Sequence, residues 1–225
     1  MQDDHSAGSA PEVWEAAADS YDEERALDPV YHTCVARVVA DLQPRGRVLD
    51  AGCGTGPQTA LIDPRCEIHA VDYSQRSLDI LRRRLPNVAT RTADLRDLPF
   101  EDGYFDAVLC ANTLQHLTPD GQRLAARELL RVLRPGGRYA VSVHHYSTEK
   151  QRAGWIKEGK PGQADVDYIY RFSRGELQSL FEGCRVRAVG FYGWPMQRVL
   201  TGVAGRLLAR LGRGHMLIAY GTKPA

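Results

Sequence analysis

The sequence predicts an α/β protein built on a doubly wound, mostly parallel sheet with helices on both faces. Short apolar segments with strand character alternate with segments of helical periodicity along most of the chain, which is typical of parallel sheets with helical crossovers. A glycine-rich loop follows the first of these strands, where doubly wound sheets bind their ligands. The 225 residues are enough for one such domain, which we expect to span residues 1–225.

Composition and charge exclude several classes of protein. The chain has 29 Lys and Arg against 28 Asp and Glu, so it is not a strongly basic nucleic-acid binder as a whole. Its five scattered cysteines contain no C-x-x-C pair, which argues against a disulfide framework or a zinc knuckle. The N-terminal MQDDHSAGSAPE has no apolar core, and no apolar run approaches the length of a membrane span. We therefore expect a cytoplasmic protein that has no membrane partner.

The predicted elements begin with a helical cap over residues 1–45, interrupted near Asp28-Pro29 because proline disfavours helix at the residue before it. Residues 144–172 later break the alternation of strand and helix. A loop of this length in a compact domain is usually functional, so we expect a lid or ligand-binding insertion there. The remaining predicted strands lie at 47–50, 67–72, 88–93, 104–111, 138–143, 184–192 and 215–222, and the helices at 57–62, 74–85, 120–133, 173–181 and 196–211.

The most informative motif is the loop VLDAGCGTG at 48–56. Its glycines let the backbone turn tightly and let a ligand lie close against it. Asp72 ends the next predicted strand, 20 residues after Gly52, where a carboxylate accepts hydrogen bonds from ribose hydroxyls. Dinucleotide sites use G-x-G-x-x-G to seat a pyrophosphate on a helix N-terminus. Here the order is G-x-G-x-G and the loop has no basic residue, which favours a ribose-bearing ligand without phosphates.

These motifs resemble those of the class I S-adenosylmethionine-dependent methyltransferases, in their group of small single-domain members. VLDAGCGTG is similar to the first motif of the family, AVDYS to its ribose-binding segment and TADLRDLPF to its adenine-binding segment. FDAVLCANTLQHL and LLRVLRPGGRYAVSV are similar to the segments around its fourth and fifth strands. The resemblance covers about residues 12–192. It implies a Rossmann-like, seven-stranded sheet with an antiparallel last strand, and S-adenosyl-L-methionine as the cofactor of a methyl transfer.

The resemblance also implies a set of cofactor-binding residues. The glycine loop would hold the methionine part and its ammonium, the acid after the second strand the ribose, and an acid with its neighbouring backbone the adenine. The loop after the fourth strand would meet the methionyl group, and a tyrosine near the N-terminus would cover the cofactor. In chain order these residues are Tyr21, Asp50, Gly52, Gly54, Gly56, Asp72, Tyr73, Asp94, Leu95 and Asn112.

Several of these assignments have alternatives. Asp97 could contact the adenine instead of Asp94, and Asn112 could cap the next helix instead of binding the cofactor. Tyr21 could be ordinary packing. We expect Trp14 to belong to the core and not to cover the cofactor.

Three histidines are candidate catalytic residues. His144 and His145 end the fifth strand, where methyl acceptors tend to bind, and His116 follows the fourth. Imidazole titrates near neutral pH, so one of them could remove a proton from the acceptor; each could instead only order its loop. The sulfonium methyl group is already a strong electrophile, and positioning can supply several kcal/mol of the barrier. The reaction therefore requires no metal, and the sequence has no residues at metal-site spacing.

The acceptor is open between two classes. A small molecule is favoured by the compact domain and by four aromatic residues that could form the walls of an apolar pocket, namely Tyr168, Tyr170, Tyr192 and Trp194. The alternative is tRNA, since YIYRFSRGEL at 168–177 resembles the late motif of the wobble-uridine carboxymethyl methyltransferases, although Arg171 stands where that motif has histidine. Residues 150–225 also carry 13 cations against 5 anions, a pattern that suits phosphate binding. A non-catalytic protein of this fold and a nicotinamide oxidoreductase are the remaining alternatives.

Overall fold

The computed structural model describes residues 11–20, 28–145, 168–190 and 214–225. Two 3₁₀ turns, Thr59–Leu61 and Leu114–His116, follow the first and fourth strands. The helices are α1 (Pro11–Ala17), α2 (Pro29–Leu42), α3 (Gln75–Arg84), α4 (Pro119–Val132) and α5 (Arg174–Leu180). The strands are β1 (Arg47–Ala51), β2 (Glu67–Asp72), β3 (Ala89–Thr92), β4 (Phe105–Ala111), β5 (Leu133–His144), β6 (Arg185–Val189) and β7 (Met216–Thr222).

The seven strands form one sheet in the order β3-β2-β1-β4-β5-β7-β6. Strands β1 to β5 pair in parallel with their neighbours, whereas β7 is antiparallel to both β5 and β6. This confirms the prediction of a doubly wound, mostly parallel seven-stranded sheet with an antiparallel last strand. The strand order reverses between β1 and β4, which creates a switch point at the carboxyl ends of these strands.

Helices cover the sheet on both faces. Successive side chains of a strand point to opposite faces, so Leu49 joins a buried cluster with residues of α4 and α5, while Val48 joins another with residues of α2. Leu78 and Leu81 of α3 pack with Cys53 and Ala70 in a third cluster. The glycine loop is therefore anchored to a buried layer beside the switch point.

Two local predictions were wrong. The helix expected at 57–62 is only the 3₁₀ turn Thr59–Leu61, because Gln58 and Thr59 turn inward and donate hydrogen bonds to a buried carboxylate instead of starting a solvent-facing helix. Strand β5 begins at Leu133 and not at 138. Its pairing with β4 shifts register between Phe105 and Ala107, which is how a sheet absorbs extra residues. The helix predicted at 196–211 lies outside the described residues.

Candidate functional site

A cavity of about 250 Å³ lies at the switch point of the sheet. It is bordered by the glycine loop, the segments that follow β2, β3 and β4, α1, and the first part of α2. Seven of the residues that the sequence singled out line it, namely Gly52, Gly54, Tyr73, Asp94, Leu95, Asn112 and His116. The structure thus brings residues from four separate motifs together at one cavity.

The glycine loop has a backbone that suits glycine at three positions. Gly52, Gly54 and Gly56 have φ angles of 75°, 53° and 92°, in the left-handed region that side chains disfavour. A Cβ atom at Gly52 would collide with the side chain of Thr113, whose hydroxyl donates to the Gly52 carbonyl at 3.2 Å. The loop and the turn after β4 are therefore packed directly against each other.

Asp72 ties the glycine loop to the start of α3. Its Oδ2 accepts from the Gly54 N–H at 2.8 Å and its Oδ1 from the Ser74 N–H at 3.0 Å. Burial raises the pKa of Asp72, and hydrogen bonds from the backbone N–H groups oppose that rise. The Tyr73 N–H also helps to hold the carboxylate, and Asp72 itself is not among the residues that line the cavity. The next residue, Tyr73, is 48% exposed and lines the cavity.

Asp50 is fully buried behind the glycine loop and is not among the residues that line the cavity. It accepts from the Thr59 hydroxyl at 2.6 Å and from Gln58 Nε2 at 3.4 Å. The Gln58 amide also donates to the carbonyls of Gly52 and Cys53. Burial raises the pKa of Asp50 to about 7, because desolvation outweighs these two hydrogen bonds and the Asp72 charge adds repulsion. Asp50 therefore supports the loop from behind; its contact with the methionine ammonium stays a prediction.

Asp50 should make the stability of the protein depend on pH. Its pKa of about 7 in the folded protein lies above the ordinary value of 3.8, so the folded state binds more protons than the unfolded state between these values. The free energy of unfolding should then fall as the pH rises from about 4 to about 7. We expect Asp50→Asn to remove this part of the slope. Urea unfolding at a series of pH values measures it, and equal slopes for both proteins would contradict the prediction.

At the third strand, Asp94 and not Asp97 lies in the cavity wall. Asp94, Leu95 and Arg96 line the cavity, whereas Asp97 is exposed and is not among the lining residues. The Asp94 carboxylate accepts from Nε of Arg96 at 3.0 Å and from Nη2 at 2.6 Å. This geometry favours Asp94 as the acid that would meet the adenine.

Asn112 lies at the end of β4 in a strained backbone conformation. Its φ of 57° falls in the left-handed region, which asparagine tolerates better than most residues. The Ser142 hydroxyl donates to Asn112 Oδ1 at 3.0 Å, so the amide NH₂ is the group that Asn112 can offer to the cavity. The N-cap positions of the next 3₁₀ turn and helix are Thr113 and Thr118, so the capping alternative for Asn112 is wrong.

Helix α1 covers part of the cavity, and the expectation that Trp14 belongs to the core was wrong. Trp14 lines the cavity, where its ring meets the His116 ring edge-on at 4.4 Å between centroids. The helix is held by Glu15, which accepts from the Gln75 and Arg76 N–H groups at the start of α3, and by an Asp19–Arg76 ion pair. These polar anchors turn Trp14 toward the cavity.

Of the three candidate histidines, only His116 lines the cavity. Its Nδ1 lies 3.1 Å from the Tyr168 carbonyl. His145 Nδ1 lies 2.8 Å from the Phe172 carbonyl, and the His144 carbonyl accepts from the Phe172 N–H at 2.9 Å. All three histidines thus hold the 168–172 segment across the ends of β4 and β5.

Part of the predicted site lies outside the described residues. This concerns Tyr21, residues 146–167 of the proposed lid, Tyr192 and Trp194. Of the other aromatic residues, Tyr170 packs against the main core and donates its hydroxyl to Glu176 at 2.6 Å. In the described parts of the chain there is no group of three or more His, Cys, Asp or Glu placed to hold a metal ion. No helix there is long and apolar enough to cross a membrane.

Sequence reasoning assigned Trp14 to the core, and it missed several polar residues of the cavity wall, among them Gln58, Arg96 and Thr113. Arg96 follows Asp94 by two residues, a spacing at which a guanidinium can reach a carboxylate within one turn. Thr113 contacts Gly52, which lies 61 residues away in the sequence, and Gln58 turns inward toward the buried Asp50. Neither contact leaves a local pattern in the sequence.

The chain is similar in sequence to known methyltransferases. Residues 48–137 match the family model described as a methyltransferase domain. An uncharacterized methyltransferase of Mycobacterium tuberculosis is 37% identical over 113 residues, 50% of this chain and 44% of that protein. A demethylmenaquinone methyltransferase of Clavibacter sepedonicus is 34% identical over 143 residues, 60% of this chain and 57% of that protein. The chain thus matches less than two thirds of the length of these relatives.

Two further matches extend the comparison. A tRNA (carboxymethyluridine(34)-5-O)-methyltransferase of Xenopus tropicalis is 32% identical over 128 residues, 56% of this chain and 20% of that protein. The solved structure of a methyltransferase from Thermotoga maritima, described as a possible histamine N-methyltransferase, has a TM-score of 0.70 at 22% identity and covers 94% of this chain and 98% of its own. At this identity the structural match shows the fold alone.

Residues 48–137 belong to the methyltransferase domain family. The family model, the curated relatives and the seven-stranded sheet agree on this, and the prediction from the sequence motifs is confirmed. S-adenosyl-L-methionine is the cofactor of the family.

Proposed function

We propose that the protein is an S-adenosylmethionine-dependent methyltransferase that transfers a methyl group to a small molecule by in-line displacement. The observation that supports this best is the convergence of the glycine loop, Asp94, Leu95 and Asn112 on one cavity at the switch point. The positive-φ glycines and the acids after β2 and β3 fit an adenosine with an amino-acid tail, and the loop offers no cation for a phosphate.

The residues of the cavity have separate tasks in this proposal. When bound, the cofactor supplies a methyl group on a positively charged sulfur. Asp94 and the Leu95 backbone would hold the adenine, Asp72 the ribose hydroxyls, and the glycine loop with the Asn112 amide the methionine part. The residues for the methionine part and His116 follow β1 and β4, so His116 is the candidate histidine on the side of the cavity where the methyl group would be supplied.

A small apolar acceptor is supported by the composition of the cavity wall. Trp14 and Ala17 of α1 and the adjoining Ala18 line the cavity together with Tyr31 and Leu117. Such a wall excludes water from the reacting centre and holds an apolar acceptor near it. The similarity to a demethylmenaquinone methyltransferase points in the same direction.

We further propose His116 as the residue that faces the acceptor, ahead of His144 and His145. The Tyr168 carbonyl accepts from Nδ1–H, which fixes the tautomer and makes Nε2 the basic nitrogen of the neutral ring. The Gln115 amide nitrogen lies 3.4 Å from Nε2, so an acceptor hydroxyl or amine that gives its proton to Nε2 replaces this contact. His145 is held in the same way by Phe172, but it is not among the lining residues of the cavity.

The His116→Gln variant should show whether His116 removes a proton from the acceptor or only orders its loop. If His116 removes a proton from the acceptor, we expect kcat to fall by about 10²- to 10⁴-fold while the affinity for S-adenosylhomocysteine stays nearly unchanged. His145→Gln is the matched control, because it alters a histidine with the same carbonyl contact away from the cavity. Equal losses of kcat in the two variants would contradict the role of His116.

The proposed function has a direct test. Isothermal titration calorimetry should detect binding of S-adenosylhomocysteine and none of NAD. An acceptor screen with methyl-labelled cofactor, using quinones, phenols and small amines, should then find transfer to at least one small molecule. Binding of NAD without binding of S-adenosylhomocysteine would refute the proposal. Binding of S-adenosylhomocysteine without transfer to any acceptor would favour a non-catalytic role.

A tRNA acceptor is the second candidate, supported by the similarity to the Xenopus tropicalis enzyme. The segment 168–177 that resembles the late motif of such enzymes holds Arg171 and the start of α5, where Ser173 and Glu176 form a capping box. The same labelled cofactor is offered with total tRNA carrying carboxymethyluridine. Label in tRNA and none in small molecules would replace the first candidate by the second.

A further inference from the structure

Asp94 and Arg96 form a two-pronged ion pair in the wall of the cavity. Arg96 Nε and Nη2 donate to Oδ1 and Oδ2 at 3.0 Å and 2.6 Å, and the Arg96 backbone N–H adds a bond to Oδ1 at 2.8 Å. The two side chains are only 28% and 19% exposed, and both residues line the cavity. Paired donors of this kind fix both the position and the rotation of a carboxylate.

The same pattern occurs a second time in a different setting. Asp63 and Arg65 form the same two-pronged ion pair. The distance from Arg65 Nε to Asp63 Oδ1 is again 3.0 Å, and the Arg65 backbone N–H donates to Oδ1 at 2.9 Å. There the side chains are 38% and 89% exposed, and neither residue lines the cavity. An Asp-x-Arg sequence can thus form this two-pronged ion pair locally. Of the two pairs, the one at 94–96 lines the cavity, where a ligand can contact it.

The hydrogen bonds leave the Asp94 carboxylate with little spare capacity. A carboxylate has about four acceptor positions. Three N–H donors of Arg96 contact the carboxylate: the backbone N–H donates to Oδ1, Nη2 donates to Oδ2, and Nε is shared between the two oxygens. Three donors leave one of the four positions, on Oδ2, for a further N–H. The 6-amino group of adenine supplies such a donor, whereas the 6-oxo group of hypoxanthine places an oxygen there, which a carboxylate repels.

We propose that Arg96 is a positioning residue that holds the Asp94 carboxylate so that the site selects a 6-amino purine over a 6-oxo purine. This inference rests on the proposed function, because it assumes that the cavity receives the adenosine part of the cofactor. Stacking of Arg96 on the base is the competing role, and it would strengthen the binding of both purines equally. The preference between the purines therefore separates positioning from stacking.

The test is calorimetric titration with S-adenosylhomocysteine and with its deaminated analogue, S-inosylhomocysteine. The full chain should prefer the adenosyl ligand by about tenfold or more, the usual size of one misplaced buried polar contact. Arg96→Ala should reduce this preference, because the carboxylate keeps only the backbone N–H bond to Oδ1 and can rotate away from the base. Arg96→Lys should reduce it as well, because an ammonium carries the charge without the paired donors. Arg65→Ala, the matched control on the exposed ion pair, should keep the preference of the unaltered chain.

The outcomes distinguish the inference from the function on which it rests. If the unaltered chain binds neither ligand, the proposed function fails and the inference fails with it. If it binds both but Arg96→Ala keeps the full preference, or weakens both ligands by one factor, only the positioning role of Arg96 is overturned. In an Asp94→Ala background, a further change of Arg96 should leave the ratio of the two affinities unaltered. Arg96→Lys keeps the test available if Arg96→Ala does not fold.

Discussion

Asp72→Ala should weaken the binding of S-adenosylhomocysteine by about 1.5–3 kcal/mol, since it removes charge-assisted hydrogen bonds to two ribose hydroxyls. Stability without ligand should fall as well, because the carboxylate accepts from the Gly54 and Ser74 N–H groups. Their loss should lower the free energy of unfolding by about 1 kcal/mol. Calorimetry and urea unfolding measure the two effects.

A ligand without ribose hydroxyls separates the direct contact from a general distortion of the loop. The 2′,3′-dideoxy analogue of S-adenosylhomocysteine should bind the unaltered chain more weakly than the parent ligand. For Asp72→Ala the two ligands should bind alike. If the variant still distinguishes them as strongly as the unaltered chain does, the ribose is held by another residue.

Gly52→Ala should be more damaging to stability than any other change considered for this site. The new methyl group would sit at a φ of 75° and would collide with Thr113. Left-handed strain costs about 1–2 kcal/mol, and overpacking adds about 1–3 kcal/mol. We expect the free energy of unfolding to fall by the sum of these terms and binding of S-adenosylhomocysteine to be lost.

Gly183→Ala is the matched control for this change. Gly183 has nearly the same φ, 74°. Apart from its chain neighbours, no atom of the described residues lies within 4 Å of its added Cβ, so the backbone strain is the cost that these residues predict. Combining Gly52→Ala with Thr113→Ala should recover part of the stability, because the colliding hydroxyl and methyl groups are gone. Equal destabilisation by Gly52→Ala and Gly183→Ala would show that the contact with Thr113 carries no weight.

The fold and the cofactor motifs could be predicted because their signals are local. Each strand or helix pattern and the glycine spacing can be read within a short segment, and Asp72 follows Gly52 at a distance of 20 residues along the chain. The position of Trp14 could not be read in this way. It depends on Glu15 and Asp19 meeting the start of α3, a contact between segments about 60 residues apart.

The histidines show a second limit of sequence reasoning. His144 and His145 were placed correctly at the end of β5, but position along a strand does not reveal what already occupies a side chain. The backbone of residues 168–172 lies against this strand end. There the Phe172 carbonyl accepts from His145 Nδ1, and the Phe172 N–H donates to the His144 carbonyl. Such a return of the chain leaves no periodic pattern in the sequence.

The position of β7 has a consequence for the order in which the protein folds. The strand lies between β5 and β6, and it is the last of the three along the chain. Among the described residues β6 joins the sheet only through β7. Until β7 arrives, β6 therefore has no partner strand, and β5 is paired on one side only, with β4. Pairings of such long sequence separation form late. Until then β5 exposes an open edge of hydrogen-bonding groups, which makes this edge the point at which a partly folded chain is most exposed to misassembly.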